Sequence, residues 1–197
     1  MNALIADTSG DVLFASLVDS GGAVLAEAGI RMQSNFNENF LKTVDFLLKT
    51  SGTVAGSIDK FYAVTGPGSF TGIRIGVSTL LGFAAGMGKE LCGISSLDAY
   101  ALVSGLESLE VFAKLRAKSY VKRSYDFTNM VFSDYEHLPL DDKEAPEHVV
   151  NKNQRSGPNL TLSILNKHFD KFVIGYEPLY FRKSEAEINF DQRCACG

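Results

Sequence analysis

Gly66-Pro67-Gly68-Ser69-Phe70-Thr71-Gly72-Ile73-Arg74-Ile75-Gly76 places four glycines and a proline within eleven residues. The apolar run Phe61 to Thr65 before it reads as a buried strand, and Gly72 to Met87 after it reads as a helix. Gly66-Pro67-Gly68 breaks the strand, and Ser69 or Thr71 caps the helix. A glycine-rich turn of this kind aims free backbone N–H groups outward and suits an anion. It serves equally as a sharp strand-to-helix connection whose glycines supply backbone freedom. Familiar phosphate and nucleophile motifs do not fit: no Lys follows Thr71 as a P-loop requires, and Thr71 stands where the dinucleotide fingerprint needs its third glycine. Pro67 and Thr71 occupy both glycine positions of a nucleophile elbow.

Within the helix, Gly72 and Gly76, then Ser78, Gly82 and Gly86, set small residues at four-residue spacing. Glycine costs about 1 kcal/mol against alanine inside a helix, so these faces are expected to meet another backbone closely. Ile73, Val77, Leu80, Leu81 and Phe83 flank them. A helix apolar nearly all round is buried, by its own domain or by a partner.

Toward the N-terminus, Ala3 to Thr8, Val12 to Val18 and Ala23 to Met32 read as strands parted by the turns Ser9-Gly10-Asp11 and Asp19-Ser20-Gly21-Gly22. Phe36, Phe40, Val44, Leu47 and Leu48 recur at helical spacing and predict a helix over Asn37 to Thr50. Beyond the loop helix, Leu91 to Ile94 is a strand, and Ser95-Ser96-Leu97-Asp98 opens a helix ending near Gly105. The order β-β-β-α-β-α predicts an α/β fold of the ribonuclease H-like kind, a mixed sheet with helices packed on it. Leu109 to Leu115, Ser119 to Phe127 and Asn129 to Phe132 follow as strands, 133–158 as a long irregular connection, Asn159 to Phe169 as a helix and Phe172 to Ile174 as a short strand. Two lobes are expected: 1–105, and a shortened second lobe with a polar tail over 106–197.

The 197 residues are 45% apolar, with 19 basic against 23 acidic side chains and a net charge of −4, which excludes a surface built throughout to grip nucleic acid. The 28 residues between Lys60 and Lys89 carry one charge, Arg74. The longest uncharged stretch, Ile75 to Gly88, has 14 residues and reads as a buried core helix, not a membrane span. No basic leader precedes the first strand, so a cytoplasmic protein is expected. Cys194 and Cys196 stand in the terminal tail without a second ligand pair. His137, His148 and His168 are 11 and 20 residues apart, which supplies no zinc-type pair.

Asp7-Thr8-Ser9-Gly10 ends the first strand. In kinase folds such an Asp holds a metal–phosphate complex; the alternative is an Asx turn. Lys114, Arg116, Lys118, Tyr120 and Lys122 would form one basic stripe if 114–122 were a continuous strand, and a turn within Arg116 to Ser119 would break it.

The run Gly66 to Gly76 resembles, almost letter for letter, the signature of the bacterial TsaB (YeaZ) family. Leu4-Ile5-Ala6-Asp7-Thr8-Ser9, Gly93-Ile94-Ser95-Ser96-Leu97 and Pro178-Leu179-Tyr180-Phe181-Arg182-Lys183 are similar in order and spacing. The resemblance implies an actin-like ATPase (ASKHA) fold and a role in making threonylcarbamoyladenosine beside the tRNA anticodon. It implies a non-catalytic, cofactor-free partner of a TsaD-like catalytic paralogue. A TsaE-like ATPase joins the pair, tRNA is met through the complex and no membrane is involved; whether the chain alone homodimerises stays open. The interface it implies comprises Phe36, Phe40, Val44, Leu47, Phe70, Gly72, Ile73, Arg74, Gly76, Val77 and Leu80, with Gly66, Pro67, Gly68, Ser69 and Thr71 as the signature loop. Phe36-Asn37-Glu38 stands where the family usually has His-Ser-Glu, and Leu115-Arg116-Ala117-Lys118 lacks the acid of the family's Asp-Ala-Arg-Arg strand. The alternative is an actin-fold, ATP-dependent small-molecule kinase working through Asp7; a metallopeptidase reading finds no metal pair.

Overall fold

A computed structural model describes residues 2–31, 36–116, 119–139, 149–150, 161, 164 and 166–181. Its first sheet contains β1 (Asn2–Asp7), β2 (Val12–Val18), β3 (Val24–Arg31), β4 (Ile58–Gly66) and β5 (Glu90–Ser95) in the order β3-β2-β1-β4-β5. β1, β2 and β3 form an antiparallel meander; β4 and β5 extend it in parallel, each reached through a helical crossover. This is the mixed sheet of the ribonuclease H-like, actin-like fold. β1 is central and buried on both faces from Ala3 to Asp7, which is why it reads as a continuous apolar run.

Helix α1 (Phe36–Ser51) and helix α2 (Phe70–Met87) cover one face of the sheet. Phe40, Val44 and Leu47 of α1 and Ile73, Val77, Leu80 and Ala84 of α2 pack with Leu4, Ala6, Leu13, Phe61 and Ala63. On the opposite face, Ile5, Phe14, Tyr62, Val64 and Ile94 meet Leu97 and Leu102 of helix α3 (Ser96–Val103). The second sheet shares that core through Val111, Ala113, Val121 and Tyr125. It consists of β6 (Ser108–Arg116), β7 (Ser119–Asp126), β8 (Val131–Phe132), β9 (Glu136–Leu138) and β10 (Val149–Val150), ordered β10-β6-β7-β8 with β9 also on β7.

Several expectations need correction. α2 begins at Phe70, because Ser69 is the residue that caps it: its hydroxyl accepts from the Gly72 N–H at 3.2 Å. The 133–158 connection is not wholly irregular, since β9 and β10 lie in it; 140–148 and 151–158 fall outside the described residues. Phe172 belongs to a 3₁₀ turn over Phe169–Phe172, and only Ile174 pairs in β fashion, exchanging both backbone hydrogen bonds with Gly93 at 2.8 and 2.9 Å. Thr161 and Ile164 are helical, whereas 159, 160, 162, 163 and 165 lie outside the described set. The basic stripe is folded back into the β6–β7 hairpin, which sets Lys114 opposite Tyr120. Lys122 is taken up by Glu110 and Glu136 at 2.8 and 3.4 Å; the side chains of Arg116 and Lys118 are outside the described residues. α2, at 18 residues, is long and apolar enough to cross a membrane, beyond the 14-residue stretch read from sequence, but here it lies on the sheet.

Candidate functional site

The signature loop is held by the turn that ends β1. Asp7 is buried, and its Oδ1 accepts from the Ser9 N–H at 2.8 Å and the Ser9 hydroxyl at 2.6 Å, which makes an Asx turn. The Ser9 carbonyl accepts from the Ser69 N–H at 2.6 Å, and the Thr8 hydroxyl donates to the Gly72 carbonyl at 2.7 Å. A Cβ at Gly68 would run into Ser9 O; at Gly72 into Thr8 O; at Gly76 into Thr8 Oγ1. Gly72 and Gly76 therefore give the close backbone approach that their spacing predicts, and Gly68 does the same in the loop. Turn and loop lie in direct contact. Pro67, after a cis Gly66–Pro67 bond, is buried and its carbonyl accepts from the Ser96 hydroxyl at 2.9 Å, tying the loop to α3. Gly66 has φ 111°, a conformation that favours glycine, and the backbone N–H of Leu179 bonds to Thr65 beside it at 2.8 Å.

Expected interface residues divide sharply once placed. Phe40, Val44, Leu47, Gly72, Ile73, Gly76, Val77 and Leu80 are buried in this chain's own core, so they hold α1 and α2 to the sheet and do not face a partner. The correction has a simple cause: the apolar positions that define an amphipathic helix are the ones its own sheet covers first. Phe70 is half-buried and Thr71 and Arg74 are exposed; the side chain of Phe36 lies outside the described residues.

What α2 leaves uncovered is a different stripe. Arg74, Ser78, Leu81, Gly82 and Ala85 are exposed and recur at three- and four-residue steps, which places them on one outer face. A Cβ at Gly82 or Gly86 would meet nothing within 4 Å, unlike Gly72 and Gly76. Only six of the 18 residues of α2 are buried, although the helix carries a single charge. Leu41 and Phe46 of α1 add exposed apolar surface at 52% and 54%. The α2 stripe, small-residued and carrying Arg74 as its one charge, suits close approach by another helix.

Arg74 is held at the end of this stripe. Its guanidinium lies 3.9 Å from the Phe70 ring centroid, its Nε donates to the Tyr180 hydroxyl at 2.8 Å, and Tyr180 stacks on Phe70 with centroids 4.7 Å apart. Tyr180 came from the similar C-terminal segment, with no sign in the sequence that it reaches α2.

A second polar cluster joins the sheets. Asp98, fully buried at the first turn of α3, accepts from Arg123 Nη1 at 2.7 Å, Tyr125 at 2.7 Å, Tyr135 at 2.9 Å and the Ser95 hydroxyl at 2.6 Å. Burial, then the Asp98 carboxylate, push the Tyr135 phenol up to about 12 and the Tyr125 phenol higher still. Burial, the largest single influence, works against the charge of Arg123, but Asp98 together with Tyr135 and Tyr125 outweighs it and holds the guanidinium above its ordinary range. No local pattern marked this cluster in the sequence. Among the described residues no three His, Cys, Asp or Glu side chains converge as metal ligands. His137 bonds Ser119 at 3.0 Å and His168 stacks on Phe127, while His148, Cys194 and Cys196 lie outside the described set.

Comparison with known proteins follows the same elements. Residues 24–118 match the sequence profile of TsaD, tRNA N6-adenosine threonylcarbamoyltransferase. Over 60 residues, 30% of this chain, the sequence is 40% identical to the Escherichia coli (strain K12) tRNA threonylcarbamoyladenosine biosynthesis protein TsaB; that match spans 26% of the relative's length. Among solved structures, YeaZ from Pseudomonas aeruginosa superposes with a TM-score of 0.72 at 17% identity, over 91% of this chain and 99% of that one. A second Pseudomonas aeruginosa structure, described as similar to peptidase YeaZ, gives 0.73 at 18% identity over 92% and 99%. At these identities the superpositions establish the fold.

Proposed function

We propose that this chain is a member of the TsaB (YeaZ) family and a non-catalytic partner subunit in the synthesis of threonylcarbamoyladenosine in tRNA. The observation that carries the reading is the outer face of α2: an exposed, small-residued stripe through Ser78, Leu81, Gly82 and Ala85 on a helix whose other face is already buried. Its partner is a TsaD-like catalytic paralogue, joined by a TsaE-like ATPase; in isolation the same face pairs two copies of this chain. The match of residues 24–118 to the TsaD profile supports that partner, because a paralogue presents comparable helices. The Asp7 turn, filled by Ser9 and the signature loop, is a structural joint in this reading, and the transfer chemistry belongs to the partner.

The chain mixed with TsaD from the same genome is expected to co-elute as a stable complex in size-exclusion chromatography with light scattering. Leu81→Asp and Gly82→Asp each bury an unpaired carboxylate on docking and are expected to weaken that complex by about 30-fold or more. Both positions are exposed, so the melting temperature should hold within a few degrees. Failure of the unmodified chain to bind TsaD at micromolar concentration would overturn the reading.

A further inference from the structure

Arg74 is the single charge between Lys60 and Lys89, is exposed, and has no carboxylate within ion-pairing distance among the described residues. Its position is nevertheless fixed from two sides. Phe70, one turn earlier on α2, supports the guanidinium face, and Tyr180, 106 residues away in sequence, receives its Nε–H. Among the described residues that bond is the one hydrogen bond the guanidinium makes. A long cation held on two sides, with no carboxylate beside it among the described residues, has already lost much of the side-chain freedom that exposed ion pairs usually forfeit on forming. Arginine and tyrosine are also the residue types that concentrate binding energy at interface centres. Arg74 stands on the same helix face as Ser78, Leu81, Gly82 and Ala85, so whatever covers that stripe also covers the guanidinium.

We infer that Phe70, Arg74 and Tyr180 form a preassembled receptor for a carboxylate of the partner protein, an Asp or Glu side chain borne by the helix that docks on α2. The inference rests on the proposed docking face and specifies the charge its partner must carry. A fork-shaped guanidinium pairs with a carboxylate through two parallel hydrogen bonds, which lysine cannot reproduce. Tyr180, brought by the C-terminal segment, acts as a positioning residue: it removes Nε from competition and leaves the Nη edge for the incoming acid.

The test measures the dissociation constant of the full chain with TsaD from the same genome by isothermal titration calorimetry, at two salt concentrations. Arg74→Ala is expected to weaken binding about 30-fold and to flatten its salt dependence, and Arg74→Lys to recover only part of the loss. Tyr180→Phe, which keeps the ring and loses the hydroxyl, is expected to cost about fivefold. Unchanged affinity in Arg74→Ala, with the complex still forming and still broken by Gly82→Asp, overturns the carboxylate receptor and leaves the docking face standing. No complex with any form of the chain overturns both. If Arg74→Ala instead abolishes tRNA binding by the isolated chain while sparing TsaD, the anion is a phosphate and the inference is wrong.

Discussion

Asp98→Ala is expected to destabilise the protein by about 3–5 kcal/mol, because it leaves a mostly buried guanidinium and two phenols without their acceptor. The Asp98 side chain is 0% exposed and that of Arg123 19%, so water cannot substitute freely for either partner. The cluster also spans the two sheets: Asp98 and Ser95 stand at the start of α3, Arg123 and Tyr125 on β7, and Tyr135 just before β9. Arg123 adds a backbone contact by donating from Nε to the Ser133 carbonyl at 2.9 Å. Arg123→Leu is expected to cost a similar amount by stranding the carboxylate. Tyr135→Phe, which removes one acceptor-directed hydroxyl, should cost about 1 kcal/mol. Urea denaturation followed by circular dichroism measures all three. A loss below 1 kcal/mol for Asp98→Ala would mean that the two sheets hold together without this joint.

Gly72→Ala and Gly76→Ala are expected to cost about 3 kcal/mol or more each, the upper part of what overpacking does, because the new methyl meets Thr8 and not a compliant side-chain end. At Gly72 the obstacle is the backbone carbonyl of Thr8, on the turn that Asp7 and Ser9 pin; at Gly76 it is the Thr8 hydroxyl, already committed to the Gly72 carbonyl. Gly82→Ala lies in the same helix and should do the reverse. Nothing lies within 4 Å of its Cβ, so the change gains helix propensity, up to about 1 kcal/mol of added stability. Thermal and urea unfolding of the three single variants separate the two classes. Similar effects at all three positions would refute the division of the glycines into a packed pair and an open one.

That division shows where reading the sequence stops. Strands β1 to β5 and helices α1 to α3 are legible to within about three residues, because period-two and period-3.6 patterns and the turn residues between them are local signals. The two-residue β10 and three-residue β9 carry no such signal, and their pairing comes from β6 and β7. The small-residue spacing of α2 predicts close approach correctly, but it cannot say that Gly72 and Gly76 meet their own chain while Gly82 and Gly86 meet none. For the same reason the apolar residues of α1 and α2 stand out as interface candidates when they are core. Asp98 shows in the sequence only as part of the opening of α3, since its partners Arg123, Tyr125 and Tyr135 lie 25 to 37 residues on. Tyr180 reaches Arg74 across more than half the chain.

In the proposed role this chain serves tRNA modification by lending the outer face of α2 to a catalytic partner. Mass spectrometry of nucleosides from bulk tRNA, in cells depleted of the chain and complemented with its variants, tests it most directly. Threonylcarbamoyladenosine is expected to fall on depletion, to return with the unmodified chain and with Asp7→Asn, and to stay low with Gly82→Asp. An unchanged level on depletion, or full restoration by Gly82→Asp, would contradict the account.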